Sequence, residues 1–228
     1  MMAVLAHLRP DCGAAESGLE KDALFPRADA DFLAAVASTP RPSAGGSPGL
    51  RLREAAERYA AIGWPVLPGP ECDGVTTWHP FEYGSLRPGE AAVDPSSATT
   101  DRRVVGEWWS RGRRPTILAP TGRHFDVIRT STYLGSRAIA ALGVRPPLGP
   151  AALSPHGTFF LVEAATTADR ETAETAGVEL MPTGTLVALP PSRIRFGSVS
   201  WRVAPDDVDA LGVCGEILAT LAEMRADR

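Results

Sequence analysis

Arg193 and Arg195 stand in the six residues 192–197, between an apolar run ending at Pro190 and Pro191 and a second run at 198–203. Proline carries no backbone N–H and fixes φ, so strand pairing must stop at Pro190, and the two runs are expected to form a β-hairpin whose long connection presents two guanidinium groups suited to phosphate or carboxylate. Asp126 opens the apolar segment 126–128, from which its carboxylate can bind a metal, cap a turn or meet Arg123. Glu179 has two readings, metal ligand or ion-pair partner. Arg111, Arg113 and Arg114 form a basic run at an expected helix end, where the helix dipole favours them and phosphate contact remains open. Ser154 and His156 make no hydrolase, because no glycine-flanked nucleophile pattern surrounds the serine and no acid partner is implied. Cys72 and His79 supply two potential ligands where a structural zinc needs four.

The elements that hold these residues can be read from periodicity. Residues 52–62 form an amphipathic helix closed by Gly63, and 64–68 form a short buried strand. Ala98 to Asp101 provide a cap for a helix running to about Arg111, with Trp108 and Trp109 read as packing residues. Strands are expected at 116–119, 125–128, 158–162, 178–180, 185–189 and 198–203, and helices at 135–142 and 206–225, the last with Asp206 or Asp207 near its start and Arg225 near its end. This mixture fits an α/β (α+β mixed) fold, a central sheet flanked by helices.

Bulk properties narrow the setting. The chain has 228 residues, enough to bury a core, and three scattered cysteines, Cys12, Cys72 and Cys214, which suit a reducing cytoplasm. No segment approaches the ~18 apolar residues of a membrane span. A net charge of −4 disfavours a surface that coats nucleic acid generally, while local basic patches remain allowed. Lys21 is the only lysine among the basic residues. Residues 1–49 read as a weakly ordered leader with one short helix near 28–37 and a Pro/Gly/Ser linker, 50–205 as the main domain, and 206–228 as a closing helix.

Several of these signals occur together in one known family. Tyr59-Ala60 before Gly63-Trp64-Pro65-Val66, Ala98-Thr99 with Asp101 and a paired tryptophan, Thr121-Gly122, and Glu179 followed by Gly184, the run 186–189, Pro190-Pro191-Ser192 and Trp201 stand in the order of the bifunctional DNA primase/polymerase (prim-pol) domains of the archaeo-eukaryotic primase superfamily. The chain resembles that family over roughly residues 50–205.

The resemblance implies a prim-pol-like sheet, nucleotidyl transfer through two divalent cations, Mg or Mn, held by carboxylates, and a nucleotide or DNA/RNA partner. It also implies which positions to inspect. The family's acidic pair falls on Arg129 and Ser131, or, with the register moved, on Asp126 beside Ile128. The family's strand histidine falls on Phe159, with His156 nearby on the turn, and the third acid falls on Glu179. The resulting expectation is a domain of primase/polymerase descent with lost or much reduced transfer, keeping a nucleotide or nucleic-acid surface at Arg123, Arg129, His156, Ser192, Arg193 and Arg195. One alternative is an active enzyme using Asp126, Glu179 and a third ligand such as Glu163. The other is an interaction module on an inactive scaffold, bound to a replication-associated protein.

Overall fold

The computed structural model describes residues 47–110 and 114–226. The expected leader up to residue 46, the helix near 28–37, Cys12, Arg111 and Arg113 lie outside the described residues. The first helix, α1 (Pro48–Ala61), starts before the expected 52–62 because its start signal lies in the stretch read as linker. The Ser47 hydroxyl oxygen accepts the Leu50 N–H at 3.3 Å, and Pro48 takes the first helical position, where a missing N–H is harmless. Leu52, Ala56, Tyr59 and Ala60 bury one face. Strand β1 (Leu67–Cys72) follows, then β2 (Thr77–Trp78) and α2 (Arg102–Ser110), where the Asp101 carboxylate accepts the Arg103 N–H at 2.8 Å as the expected cap.

Next come β3 (Pro115–Pro120), β4 (Asp126–Thr130), α3 (Thr132–Leu142), β5 (Ala151–Ser154), β6 (Gly157–Val162) and α4 (Thr167–Ala176). The chain continues through β7 (Glu179–Leu180), β8 (Leu186–Leu189), β9 (Arg193–Ile194), β10 (Gly197–Ser198), β11 (Ser200–Val203) and α5 (Cys214–Ala226). The strands form a four-stranded sheet ordered β2-β1-β3-β8, a five-stranded sheet ordered β11-β5-β6-β4-β7, and the small hairpin of β9 with β10. The class is mixed α/β.

The five-stranded sheet separates two cores. Val127, Ala152, Phe159 and Leu161 point to the first, shared with α1, α2 and the four-stranded sheet. Ile128, Ala151, Phe160, Val162 and Val203 point to the second, filled by α3, α4 and α5. Alternation along each strand enforces the split.

Two expectations need correction. The runs 185–189 and 198–203 do not form the expected hairpin: β8 pairs with β3 and β11 with β5, in different sheets, and the connection between them contains the β9–β10 turn, with Gly197 opposite Ile194 and Ser198 opposite Arg193. The closing helix begins at Cys214, not at 206. Gly212 instead runs beside the sheet, donating to the Leu161 carbonyl at 3.0 Å and accepting the Glu163 N–H at 2.9 Å. It fits there because it meets another glycine: a Cβ on Gly149 would stand 2.0 Å from the Gly212 nitrogen. Asp206 accordingly ion-pairs with Arg58 and caps no long helix. Arg225 lies in the last turn of α5 as expected, and donates to the Gly177 carbonyl at 2.6 Å. Among the described residues no helix is long and apolar enough to cross a membrane.

Candidate functional site

Backbone pairing brings three residues singled out from sequence into one row. On β4, Arg129 lies directly opposite Phe159 of β6 on one side and Glu179 of β7 on the other. Directly opposed residues point to the same face of a sheet, so all three share the face of the first core. Phe159 is buried, whereas the Arg129 and Glu179 side chains are 40% and 43% exposed and form an ion pair. Arg129 therefore occupies the centre of the row with its countercharge beside it. Its same-face neighbour within the strand is Val127, not Ser131. Ser131 follows the strand and caps α3, its hydroxyl oxygen accepting the Leu134 N–H at 3.2 Å.

Asp126 faces the opposite way. It shares the second-core face with Ile128 and is 3% exposed. Its Oδ2 accepts the Ala165 N–H at 2.9 Å and lies 3.9 Å from an Arg170 nitrogen, while its Oδ1 has no hydrogen-bond partner. Asp126 and Glu179 thus do not converge; the sheet stands between them. Glu163 acts on the Asp126 side, since burial and then the carboxylates of Asp169, Asp126 and Glu163 push the Cys214 thiol up to about 12. Among the described residues no three His, Cys, Asp or Glu side chains gather so as to hold a metal ion.

The remaining candidates divide between the two ends of the sheets. Arg123 is exposed on the turn that leads into β4. Arg193, Arg195 and exposed His156 lie at the other end, where the β9–β10 turn meets the β5–β6 turn: a Cβ on Gly197 would stand 3.0 Å from Pro155 Cγ. Ser192, expected to face a ligand, is fully buried, and its hydroxyl oxygen accepts the Ile117 N–H at 2.8 Å. A β3 N–H opposite the end of β8 thus finds its acceptor in a side chain. Cys72 and His79 serve their own turns, the thiol sulfur accepting the Gly74 N–H at 3.3 Å and His79 Nδ1 accepting the Phe81 and Glu82 N–H groups at 3.2 and 3.0 Å. Arg114 lies 3.8 Å from Glu71.

The framework residues form a cluster of their own. The Tyr59 hydroxyl donates to the Pro190 carbonyl at 2.6 Å and accepts from the Trp201 indole N–H at 3.0 Å. Tyr59 stacks on Trp64 at 5.7 Å between centroids, and Trp64 meets Phe125 edge-on at 5.1 Å. Burial raises the Tyr59 pKa beyond its ordinary value. Thr121 locks the neighbouring turns, donating its N–H to the Thr185 carbonyl at 2.9 Å and its hydroxyl to the Pro182 carbonyl at 2.7 Å. Gly122, at φ 82°, has no room for a side chain, because a Cβ would stand 2.3 Å from Thr183 Cγ2. Sequence reasoning named most of these residues without the bonds that join them; their only sign was the shared order along the chain.

That order and this geometry agree with one comparison. The family model for the bifunctional DNA primase/polymerase N-terminal domain matches residues 56–214, well over half of the 228. The chain belongs to that family. Neither the curated proteins nor the solved structures contain a match. Prim-pol domains generally use divalent metals, and such cations need several oxygen ligands converging on one point. The row on the first-core face offers one carboxylate, Glu179, already ion-paired to Arg129. That donor set does not fit a divalent cation pair.

Proposed function

We propose that this prim-pol domain has lost nucleotidyl transfer, or retains very little of it, and keeps its basic end as a nucleotide- or nucleic-acid-binding surface. The observation that carries the reading is Arg129, seated between Phe159 and Glu179 on one row and ion-paired to the only carboxylate there. A guanidinium is charged at every relevant pH and repels a divalent cation within a few ångströms. Asp126 offers no substitute, because it is turned to the other face and engaged with Ala165 and Arg170.

The direct test is primer extension and de novo synthesis with purified protein, offered deoxynucleotides or ribonucleotides with magnesium or manganese. No product is expected. Template-dependent product from the parent would overturn the reading, and an Asp126→Asn or Glu179→Gln variant would show which carboxylate it uses. Nucleic-acid binding is expected to be weak and salt-sensitive, and weaker still after Arg193→Ala with Arg195→Ala. Binding unchanged by that double substitution would remove the basic hairpin from the account.

A further inference from the structure

The turn between β9 and β10 ends in an aromatic side chain that neither core uses. Phe196 is 72% exposed, and its backbone has φ 69°, the only positive value among the described non-glycine residues. Large side chains rarely adopt that conformation, and where a chain needs it Gly, Asn or Asp usually serves. The backbone here is held in place: the Phe196 N–H donates to the Gly74 carbonyl at 2.8 Å, and Gly197 abuts Pro155. The ring projects from an anchored turn.

Cations surround it. The Arg195 guanidinium lies over the Phe196 ring, 5.0 Å from its centroid, in cation–π contact. Arg193 lies against Gly74, where an added Cβ would stand 2.9 Å from its Nη2. Asp73 is the nearby acid: its Oδ1 accepts the Thr76 and Val75 N–H groups, each at 2.8 Å, and these bonds, with the charge of Arg193, lower its pKa, so it offsets part of the Arg193 charge. On a chain of net charge −4, an exposed ring covered on one side by Arg195, with Arg193 on the same turn, is a local positive exception even with Asp73 beside Arg193. Surfaces that bind single strands without reading sequence combine these two parts, aromatic faces for bases and cations for the backbone.

We propose that Phe196 is a stacking platform for an unpaired base of single-stranded nucleic acid, with Arg193 and Arg195 meeting the adjoining phosphates. The proposal rests on the binding half of the function proposed above and is independent of whether transfer survives. A protein segment in place of the nucleic acid would not supply phosphates for both arginines.

Anisotropy with labelled oligothymidylate and oligouridylate, at low and raised salt, tests it. Phe196→Asn keeps a residue suited to positive φ while removing the ring, so the fold should be preserved, as its melting temperature will show. Binding by this variant is expected to weaken about tenfold, whereas Phe196→Trp should bind at least as well as the parent and its added indole fluorescence should be quenched by the oligonucleotide. Arg195→Ala should flatten the salt dependence as a phosphate contact is lost. Preference for one sugar would say which nucleic acid is bound, and either supports the proposal. Equal binding by Phe196→Asn, no quenching in Phe196→Trp, tighter binding of duplex than of single strand, or no binding by the parent would each overturn it. Primer extension by the parent would overturn the loss of transfer and leave this proposal standing.

Discussion

At the scale of single residues, one charge decides the chemistry of the β6-β4-β7 row. Glu179 is exposed enough that its ion pair with Arg129 adds little stability, since pairs of this kind contribute about 0–1 kcal/mol. Arg129→Asp should therefore be tolerated, costing about 1 kcal/mol through loss of the pair and repulsion between two directly opposed carboxylates. It should also create what the row lacks, two carboxylates on neighbouring strands. Manganese at a hundred times its dissociation constant would then stabilise the variant by about 2.7 kcal/mol, while leaving the parent unaffected. Thermal melting with manganese or a chelator measures this, and a parent protein stabilised by manganese would contradict the assignment. The family resemblance, counted from the Thr121-Gly122 turn, pointed to Arg129 in the sequence, but that count could not tell that Ser131 leaves the strand to cap α3. Ser192 misled for a related reason. A serine after two prolines looks like a ligand until its burial is seen, and Ser192→Ala should cost about 1–3 kcal/mol in denaturant unfolding by orphaning the Ile117 N–H.

At the scale of elements, the family order along the chain is the trace of one contact between distant segments. Tyr59 ends α1, Pro190 ends β8 and Trp201 lies on β11, and a single phenol oxygen bonds to both of the others. Tyr59→Phe keeps the ring stacked on Trp64 and removes both bonds, leaving a buried carbonyl and an indole N–H without partners. A loss of about 1–3 kcal/mol is expected, read by denaturant unfolding, and an unchanged midpoint would mean that packing alone joins these elements. Elements with a local signal were legible: α1 from its apolar period, α2 from its Asp101 cap, β8 from its run ended by proline. Those fixed by remote partners were not. Nothing near Gly212 announces that it will lie beside Leu161 and against Gly149, so the start of α5 was placed too early. The neighbouring strands β8 and β11 look like a hairpin for the same reason, since their pairing with β3 and β5 depends on partners far away in the chain.

At the scale of the whole molecule, the sheet divides two cores of different character, and the second carries a titration. Cys214 is buried at the start of α5, and its thiol is raised from an ordinary 9.0 to about 12, first by burial and then by Asp169, Asp126 and Glu163. The fold therefore holds a proton that the unfolded chain releases once pH passes about 9. Stability follows the difference in bound protons, so this contribution is complete below pH 9 and is lost progressively between 9 and about 12. Other groups titrate in that range, Tyr59 among them with a pKa raised in the same direction. A Cys214→Ala variant removes only the thiol. Below pH 9 it should be less stable than the parent by about 1 kcal/mol from the small cavity, and above pH 9 its stability should fall less steeply, so that the difference shrinks. Parallel curves for the two proteins, measured by denaturant unfolding from pH 8 to 11, would mean that the thiolate is no more costly in the second core than in water. Convergence of the curves with rising pH would show that burial and the nearby carboxylates of Asp169, Asp126 and Glu163 make the Cys214 thiolate costly in the second core.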